Sequence, residues 1–240
     1  MKLIKWSYGI TTVPERRHTT LPTTLTSLRK AGFDCPRLFV DGCDDENEYN
    51  QLGLPTTYRQ TVIHTFGNWI LALWELYIRD WEATRFAIFQ DDIVTYPNLR
   101  QYLSQCHYPE KGYLNLLSFM DNEELLKDAN GWLGSNQRGR GAIALVFDRT
   151  AVTTLLQQPH IASKPLVAGW RKHKKIDGTI VEAFRQAGYT EYIHSPSLVQ
   201  HIGTQSTINN QAHPEALSFR GETFDAMQLL TEQKDERLSI

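Results

Sequence analysis

Phe86-Ala87-Ile88-Phe89 is an apolar run that ends in Gln90-Asp91-Asp92, and this junction restricts the fold of the chain more tightly than any other feature. A short apolar run bounded by polar sequence reads as a buried strand with helices over both faces, the setting of a parallel sheet. Two carboxylates placed directly after such a strand repel each other and lose hydration, a cost that a divalent cation relieves. Mg²⁺ and Mn²⁺ take oxygen ligands, and magnesium binds through one or two carboxylates plus the phosphates of a substrate. Taken alone, an Asp-Asp pair reads more simply as a cap on the next turn. The surroundings decide between the two.

Those surroundings alternate between short strands and helices. Lys5 to Ile10 predicts a strand that Thr11-Thr12-Val13-Pro14 breaks, and Leu21 to Ala31 predicts a helix stopped by Gly32. Arg37 to Val40 predicts a strand ending in the turn signal Asp41-Gly42. Further strands are predicted at Tyr58 to His64, Tyr113 to Phe119 and Ala142 to Phe147, after a loop at Asn50 to Thr57. Helices are predicted at Asn68 to Arg85, Pro97 to Cys106, Arg149 to Gln157 and Asp177 to Ala187. This order predicts an open α/β sheet with right-handed crossovers, whose ligands sit at the carboxyl ends of the strands. Thr11-Thr12, Asp41-Gly42 and Asp91-Asp92 should therefore line one crevice. Neither Gly-x-Gly-x-x-Gly nor a Walker loop occurs, so the usual dinucleotide and P-loop modes have no support.

At 240 residues, the chain is expected to form one domain. Its 41% hydrophobic and 22% charged residues belong to the globular class. A net charge of −2 gives no global attraction to nucleic acid or anionic lipid. The three cysteines show no CxxC or Cys/His spacing, against both a disulfide framework and a zinc site. Met1 to Trp6 does not look like a signal peptide and no apolar run is long enough for a span. The expectation is a cytoplasmic protein with no membrane partner.

In this setting Phe89-Gln90-Asp91-Asp92-Ile93 resembles the GT-A superfamily of glycosyltransferases, where a strand ends in a short acidic motif that holds a metal and a sugar nucleotide. The resemblance implies a GT-A type open, mixed, mainly parallel sheet flanked by helices, a Rossmann-like nucleotide-sugar-binding fold. It implies Asp92 as metal ligand, with Mn²⁺ or Mg²⁺ as cofactor, and Asp91 at the ribose or donor sugar. Gln90 departs from the commoner acidic first position. Ile10 to Arg17 is similar to the loop that receives the nucleoside, through Thr11, Pro14 and Arg16, and Asp41 would accept from the base. Gly67-Asn68 is similar to the segment beside the ribose and diphosphate. Gly139-Arg140-Gly141-Ala142 resembles the loop under the donor sugar, with Gly141 in contact. Asp177 corresponds to the carboxylate that removes the acceptor proton in inverting members. His194 to Gly203, containing Pro196-Ser197-Leu198-Val199-Gln200-His201, resembles a segment whose histidine, here His201, touches the metal or the diphosphate. Each piece has a plainer reading: a solvated basic pair at Arg16-Arg17, a helix start at Gly67-Asn68, a tight turn at Gly139-Ala142, an N-cap at Asp177 and a structural histidine at His201.

The reaction implied is displacement of a nucleoside diphosphate, UDP by family frequency, by an acceptor hydroxyl with inversion. Residues 1–120 would form the donor half, 121–205 the acceptor half, and 206–240 a tail that could order over substrate. Between Arg149 and Ile176 there is no Asp or Glu, whereas Lys164, Arg171, Lys172, Lys174 and Lys175 fall there. A solvated loop is the default; beside an acceptor site the cluster, with Arg140 and Trp170, would suit DNA. The start Thr11 to Arg17 and Phe39-Val40-Asp41-Gly42 also look like small bacteriophage and base-J-related transferases acting on hydroxymethylated bases. A glycan or protein acceptor, a nucleotidyltransferase and a non-catalytic binding module are the alternatives.

Overall fold

The computed structural model describes residues 3–125, 127, 129–163, 176–203 and 215–232. Its elements run β1 (Trp6–Thr12), a 3-10 turn (Pro14–Arg16), α1 (Leu21–Lys30), β2 (Arg37–Asp41), α2 (Asn47–Asn50), β3 (Thr56–Arg59), α3 (His64–Arg79), β4 (Arg85–Gln90) and β5 (Ile93–Thr95). They continue with α4 (Leu99–Gln105), β6 (Gly112–Asn115), α5 (Asp121–Leu125), β7 (Gly131–Gly134), β8 (Ala144–Asp148) and α6 (Arg149–Leu156). The last are α7 (Pro159–Ala162), α8 (Ile176–Gln186), β9 (Thr190–Ser195) and β10 (Val199–His201).

Eight strands form one sheet in the order β3-β2-β1-β4-β8-β6-β9-β7, and β5 pairs with β10 in a separate small sheet. β8 is antiparallel to β4 and β6, and β7 to β9; the remaining pairs of the large sheet are parallel. The chain therefore has the expected Rossmann-like, mixed and mostly parallel α/β architecture. β4 sits inside it, and its residues Phe86 to Phe89 are fully buried. Alternation along the strand sends Ala87 and Phe89 into a core with Ile10, Leu28, Phe33 and Tyr96, and Phe86 and Ile88 into one with Phe39, Trp69, Phe147 and Phe184. Each large side chain so buried stabilises the fold by roughly 1.5–3 kcal/mol.

Helix α1 ends as its sequence predicts. Gly32 takes φ +91°, its N–H donates to the Arg29 carbonyl at 3.0 Å, and the Phe33 N–H donates to the Leu28 carbonyl at 2.8 Å. That pair of bonds closes a Schellman motif, and buried Phe33 packs in the same core as Leu28. Helix α6 is started by Asp148, whose carboxylate accepts from the Ala151 N–H at 2.6 Å.

Several predicted boundaries are corrected. β1 does not break at Thr11 but continues through Thr12, because Thr11 still pairs with Gln90 of β4. β3 covers only Thr56–Arg59, since the Arg59 carbonyl turns to accept from the Gly42 and Cys43 N–H groups. α3 begins at His64, not Asn68, and ends at Arg79, where Asp80 to Thr84 turn the chain into β4. α4 begins after Asn98, which takes a left-handed φ of 60° that asparagine tolerates. β6 stops at Asn115, well short of Phe119.

The described part of the C-terminal stretch packs on the body of the protein. Ala216, Ala226 and Leu229 are buried, and Phe219 stacks on Tyr96 with ring centroids 4.8 Å apart. No helix among the described residues is long and apolar enough to cross a membrane.

Candidate active site

β1, β2 and β4 are parallel neighbours, so they all end at one edge of the sheet, and a cleft opens there. Its lining is Thr11, Thr12, Val13, Arg16, Asp41, Thr65, Asn68, Gln90, Asp91 and Asp92. Thr11, Arg16, Asp41, Asn68, Asp91 and Asp92, expected from distant parts of the sequence, are thus brought together. Pro14 opens the 3-10 turn that carries Arg16, and Gly67 precedes Asn68 in the first turn of α3; both are neighbours of the lining.

Asp91 is 7% exposed, and its Oδ2 accepts the Thr12 hydroxyl at 2.6 Å. Burial, and then the adjacent Asp92 charge, push its carboxyl up to about 7, against the opposing pull of Thr12 and Arg16. Asp92 is 5% exposed. Its Oδ2 lies 3.1 Å from His201 Nε2 and 3.5 Å from Arg16 Nη2. Its Oδ1 is buried with no hydrogen-bond partner among the described residues. An oxygen left so costs about 1–3 kcal/mol, more when charged.

His201 reaches Asp92 because β5 and β10 pair antiparallel, His201 opposite Ile93, and because the Ile202 N–H donates to the Asp92 carbonyl at 2.8 Å. The next residue, Gly203, keeps the surrounding space open: a Cβ there would come within 2.8 Å of Asp92 Oδ2 and 3.0 Å of His201 Cε1. An unpartnered carboxylate oxygen and an imidazole are two donors suited to a divalent cation, and Gly203 leaves the space beside both unfilled. Among the described residues no group of three or more His, Cys, Asp or Glu could hold a metal. The remaining ligands would come from substrate oxygens and water, the usual arrangement for Mg²⁺.

Two other cleft residues are locked by the scaffold. Asp41 Oδ1 accepts from the Ile63 N–H at 2.8 Å, which anchors the entry to α3. Asn68 donates to the Phe39 carbonyl at 2.8 Å and accepts from Arg59 Nε at 2.8 Å, so its amide is oriented but retains one N–H.

A further carboxylate stands on the adjoining part of the edge. β8 approaches β4 through Phe89 opposite Ala144, and the Gln90 N–H donates to the Ile143 carbonyl at 2.7 Å. Just before β8, the Gly141 and Ala142 N–H groups each donate to the Asp177 carboxylate at 3.2 Å. Gly139 lies so close behind that a Cβ would meet the Asp177 carbonyl at 2.6 Å. Desolvation raises the Asp177 carboxyl above its ordinary range, against the backbone bonds from Gly141, Ala142 and Asp177 itself. Asp177 stands in the first turn of α8, and its carboxylate is also held by the N–H groups of a different segment, Gly141 and Ala142.

Arg140 is exposed, with Nη1 3.7 Å from Met120 Sδ. Trp170, Arg171, Lys172, Lys174 and Lys175, the expected acceptor contacts, lie outside the described residues, as does Lys164. Sequence reasoning assigned no role to the Thr12 hydroxyl, to Thr65 or to Gly203. Gly203 was legible in part, as the last residue of the His194 to Gly203 segment.

No family model and no curated protein sequence matches the chain. Among solved structures it is similar to a chain described as a glucose-1-phosphate thymidylyltransferase from Bacillus anthracis in complex with a sucrose, with 12% identity, a TM-score of 0.50, and 93% of this chain and 99% of that chain covered. It is also similar to a cytidylyltransferase from Leptospira borgpetersenii serovar Hardjo-bovis (strain JB197), with 10% identity, a TM-score of 0.47, and 98% and 96% covered. The Bacillus likeness is one of fold: the same kind of sheet with helices on both faces.

Proposed function

We propose that the protein is a metal-dependent, inverting glycosyltransferase of GT-A type that moves a sugar from a nucleotide sugar, a UDP-sugar first among them, to an acceptor hydroxyl. The observation that carries this reading is Asp92: a buried carboxylate at the end of β4, with Oδ1 unpartnered and Oδ2 facing His201 across space left by Gly203. Asp92 and His201 would hold the cation, which when bound neutralises charge on the diphosphate leaving group. Arg16 adds a fixed positive charge at the same place, and Asp91, oriented by Thr12, faces the donor side of the cleft. Thr11, Asp41 and Asn68 line the part of the cleft assigned to the nucleoside and ribose. Asp177 takes the acceptor proton: a carboxyl raised towards neutrality is a stronger base than an ordinary one, and the Gly141 and Ala142 N–H groups fix its direction.

A screen of nucleotide sugars by thermal shift with Mn²⁺ tests the donor, since a bound ligand stabilises by mass action. No stabilisation by any nucleotide sugar removes the proposal. Transfer to DNA carrying hydroxymethyl bases, with salt-sensitive retention on duplex DNA, tests the acceptor indicated by the basic sequence between Arg149 and Ile176; transfer to glycan alone replaces it.

The second reading is a nucleotidyltransferase, the activity in the description of the Bacillus structure that shares this fold. Its glycine- and arginine-rich first loop has no counterpart in Ile10 to Arg17, which contains no glycine. Release of pyrophosphate instead of nucleoside diphosphate would favour it.

A further inference from the structure

Glu191 is 2% exposed on β9 and has no part in the chemistry above. Its Oε1 accepts from the Tyr113 hydroxyl at 3.0 Å and from Asn115 Nδ2 at 3.3 Å, and its Oε2 accepts from the Ser135 hydroxyl at 2.6 Å. Among the described residues it takes part in no ion pair. Burial raises its carboxyl, against the pull of those three donors. A carboxyl is an expensive way to fill a core position that an apolar side chain fills at no desolvation cost. Its use here is explained by what it grips.

The Ser135 N–H and Gln137 Nε2 both donate to the Glu191 carbonyl at 2.9 Å, and the Glu191 N–H donates to Gln137 Oε1 at 3.1 Å. Gln137 is held there at a left-handed φ of 56°. Asn115, already bonded to the Glu191 carboxyl, also donates to the Arg140 carbonyl at 2.9 Å. The segment is thus fastened at Ser135, Gln137 and Arg140, immediately before the two N–H groups that hold Asp177.

We propose that Glu191 is a positioning residue for Asp177: with Asn115 it pins the 135–140 segment to the sheet, and that segment sets the Gly141 and Ala142 N–H groups that aim the Asp177 carboxylate. The kinetic part rests on Asp177 as general base; the positioning part does not.

Hydrogen–deuterium exchange on the full chain without substrate, together with steady-state kinetics, tests both. In Glu191→Leu the Gly141 and Ala142 amides should exchange roughly tenfold faster or more, while Ala87 to Phe89 in β4 keep their protection. Ser135→Ala, which removes one surface-side contact, should do the same to a smaller extent and serves if Glu191→Leu does not fold. The kcat should fall roughly ten- to a hundredfold, a larger change than in the donor KM, because the expected nucleoside contacts at Thr11, Asp41 and Asn68 lie on other elements. Glu191→Gln, which keeps the shape and one acceptor oxygen, should recover most of both effects. Unchanged Gly141 and Ala142 exchange in Glu191→Leu and Ser135→Ala overturns the proposal, as does equal loosening of β4. If exchange responds as expected but the wild type transfers no sugar, the positioning stands and the glycosyltransferase reading falls.

Discussion

Replacing Gly203 by alanine separates the chemistry of the acidic centre from the stability of the fold. Gly203 does not take a left-handed φ, so its backbone accepts alanine. The added Cβ would stand 2.8 Å from Asp92 Oδ2 and 3.0 Å from His201 Cε1. With ordinary contact beginning near 3.4 Å, the carboxylate oxygen must retreat by about 0.6 Å and the ring edge by about 0.4 Å. Both are ends of side chains, so the cost is that of off-rotamer torsions, of order 0.5–1.5 kcal/mol. The lower unfolded-state entropy of alanine returns about 0.4–1 kcal/mol. Net stability should therefore stay within about 1 kcal/mol, a Tm change of roughly 2–4 °C for a chain of this size. Function should not be spared, because a misplacement of about 1 Å costs on the order of a hundredfold. Mn²⁺ titration by calorimetry and turnover of the nucleotide sugar should show a ten- to hundredfold loss, roughly. Unchanged Mn²⁺ affinity and turnover would refute the assignment of Asp92 and His201 to a cation. A large drop in Tm would refute the steric reasoning.

Gly139→Ala should be worse for the fold, since φ is +67° and the Cβ meets backbone, the Asp177 carbonyl at 2.6 Å and Gly178 Cα at 2.8 Å. The left-handed conformation alone costs about 1–2 kcal/mol and the rigid clash adds to it, read as a lower urea midpoint. Asp91→Asn should raise stability above neutrality. The Asp91 pKa is raised in the fold, so the stability tied to it is full below the unfolded value and is lost as pH rises to about 7. By that linkage the gain should shrink by about 3 kcal/mol between pH 8 and pH 5, measured by denaturation of both proteins. His194 has the opposite sign. Burial lowers its pKa to about 4, so stability present above the unfolded value of 6.5 is lost as pH falls towards 4. The loss, about 3 kcal/mol, should appear in the wild type and be absent from a foldable His194→Gln, the difference between the two cancelling the buried carboxyls that titrate oppositely.

What the sequence disclosed and what it withheld divide along the range of the interactions. Leu21 to Gly32 was legible because a Schellman cap is written in neighbouring residues, and Phe86 to Asp92 because apolar run and acids are contiguous. The strand ends at Thr11, Asp41 and Asp91 could be placed on one edge because parallel crossovers leave little choice. The start of α3 was missed because it depends on the Asp41 carboxylate receiving the Ile63 N–H from across the chain. β5, β7, β9 and β10 went unassigned as strands. β5 and β10 are three residues each, too short to show a period, and exist because each finds the other. The contact of Asp92 with His201, and the N–H groups on Asp177, are products of that assembly and have no local signature.

The pairing of β5 with β10 also sets an order of assembly. His201 and Asp92 are 109 residues apart in the chain. A growing polypeptide can lay β1 beside β2 and β4 early, with both acids in place, while the strand that closes over them has not yet been made. Until it arrives, β5 offers an unsatisfied edge and the carboxylates lack their imidazole, the sort of exposed intermediate that invites wrong partners. Completion of the acidic pocket is thereby tied to docking of the late-synthesised segment. On the proposed assignment of Asp92 and His201, cation affinity would report that this late segment has docked, where the pairing of β1, β2 and β4 alone would not.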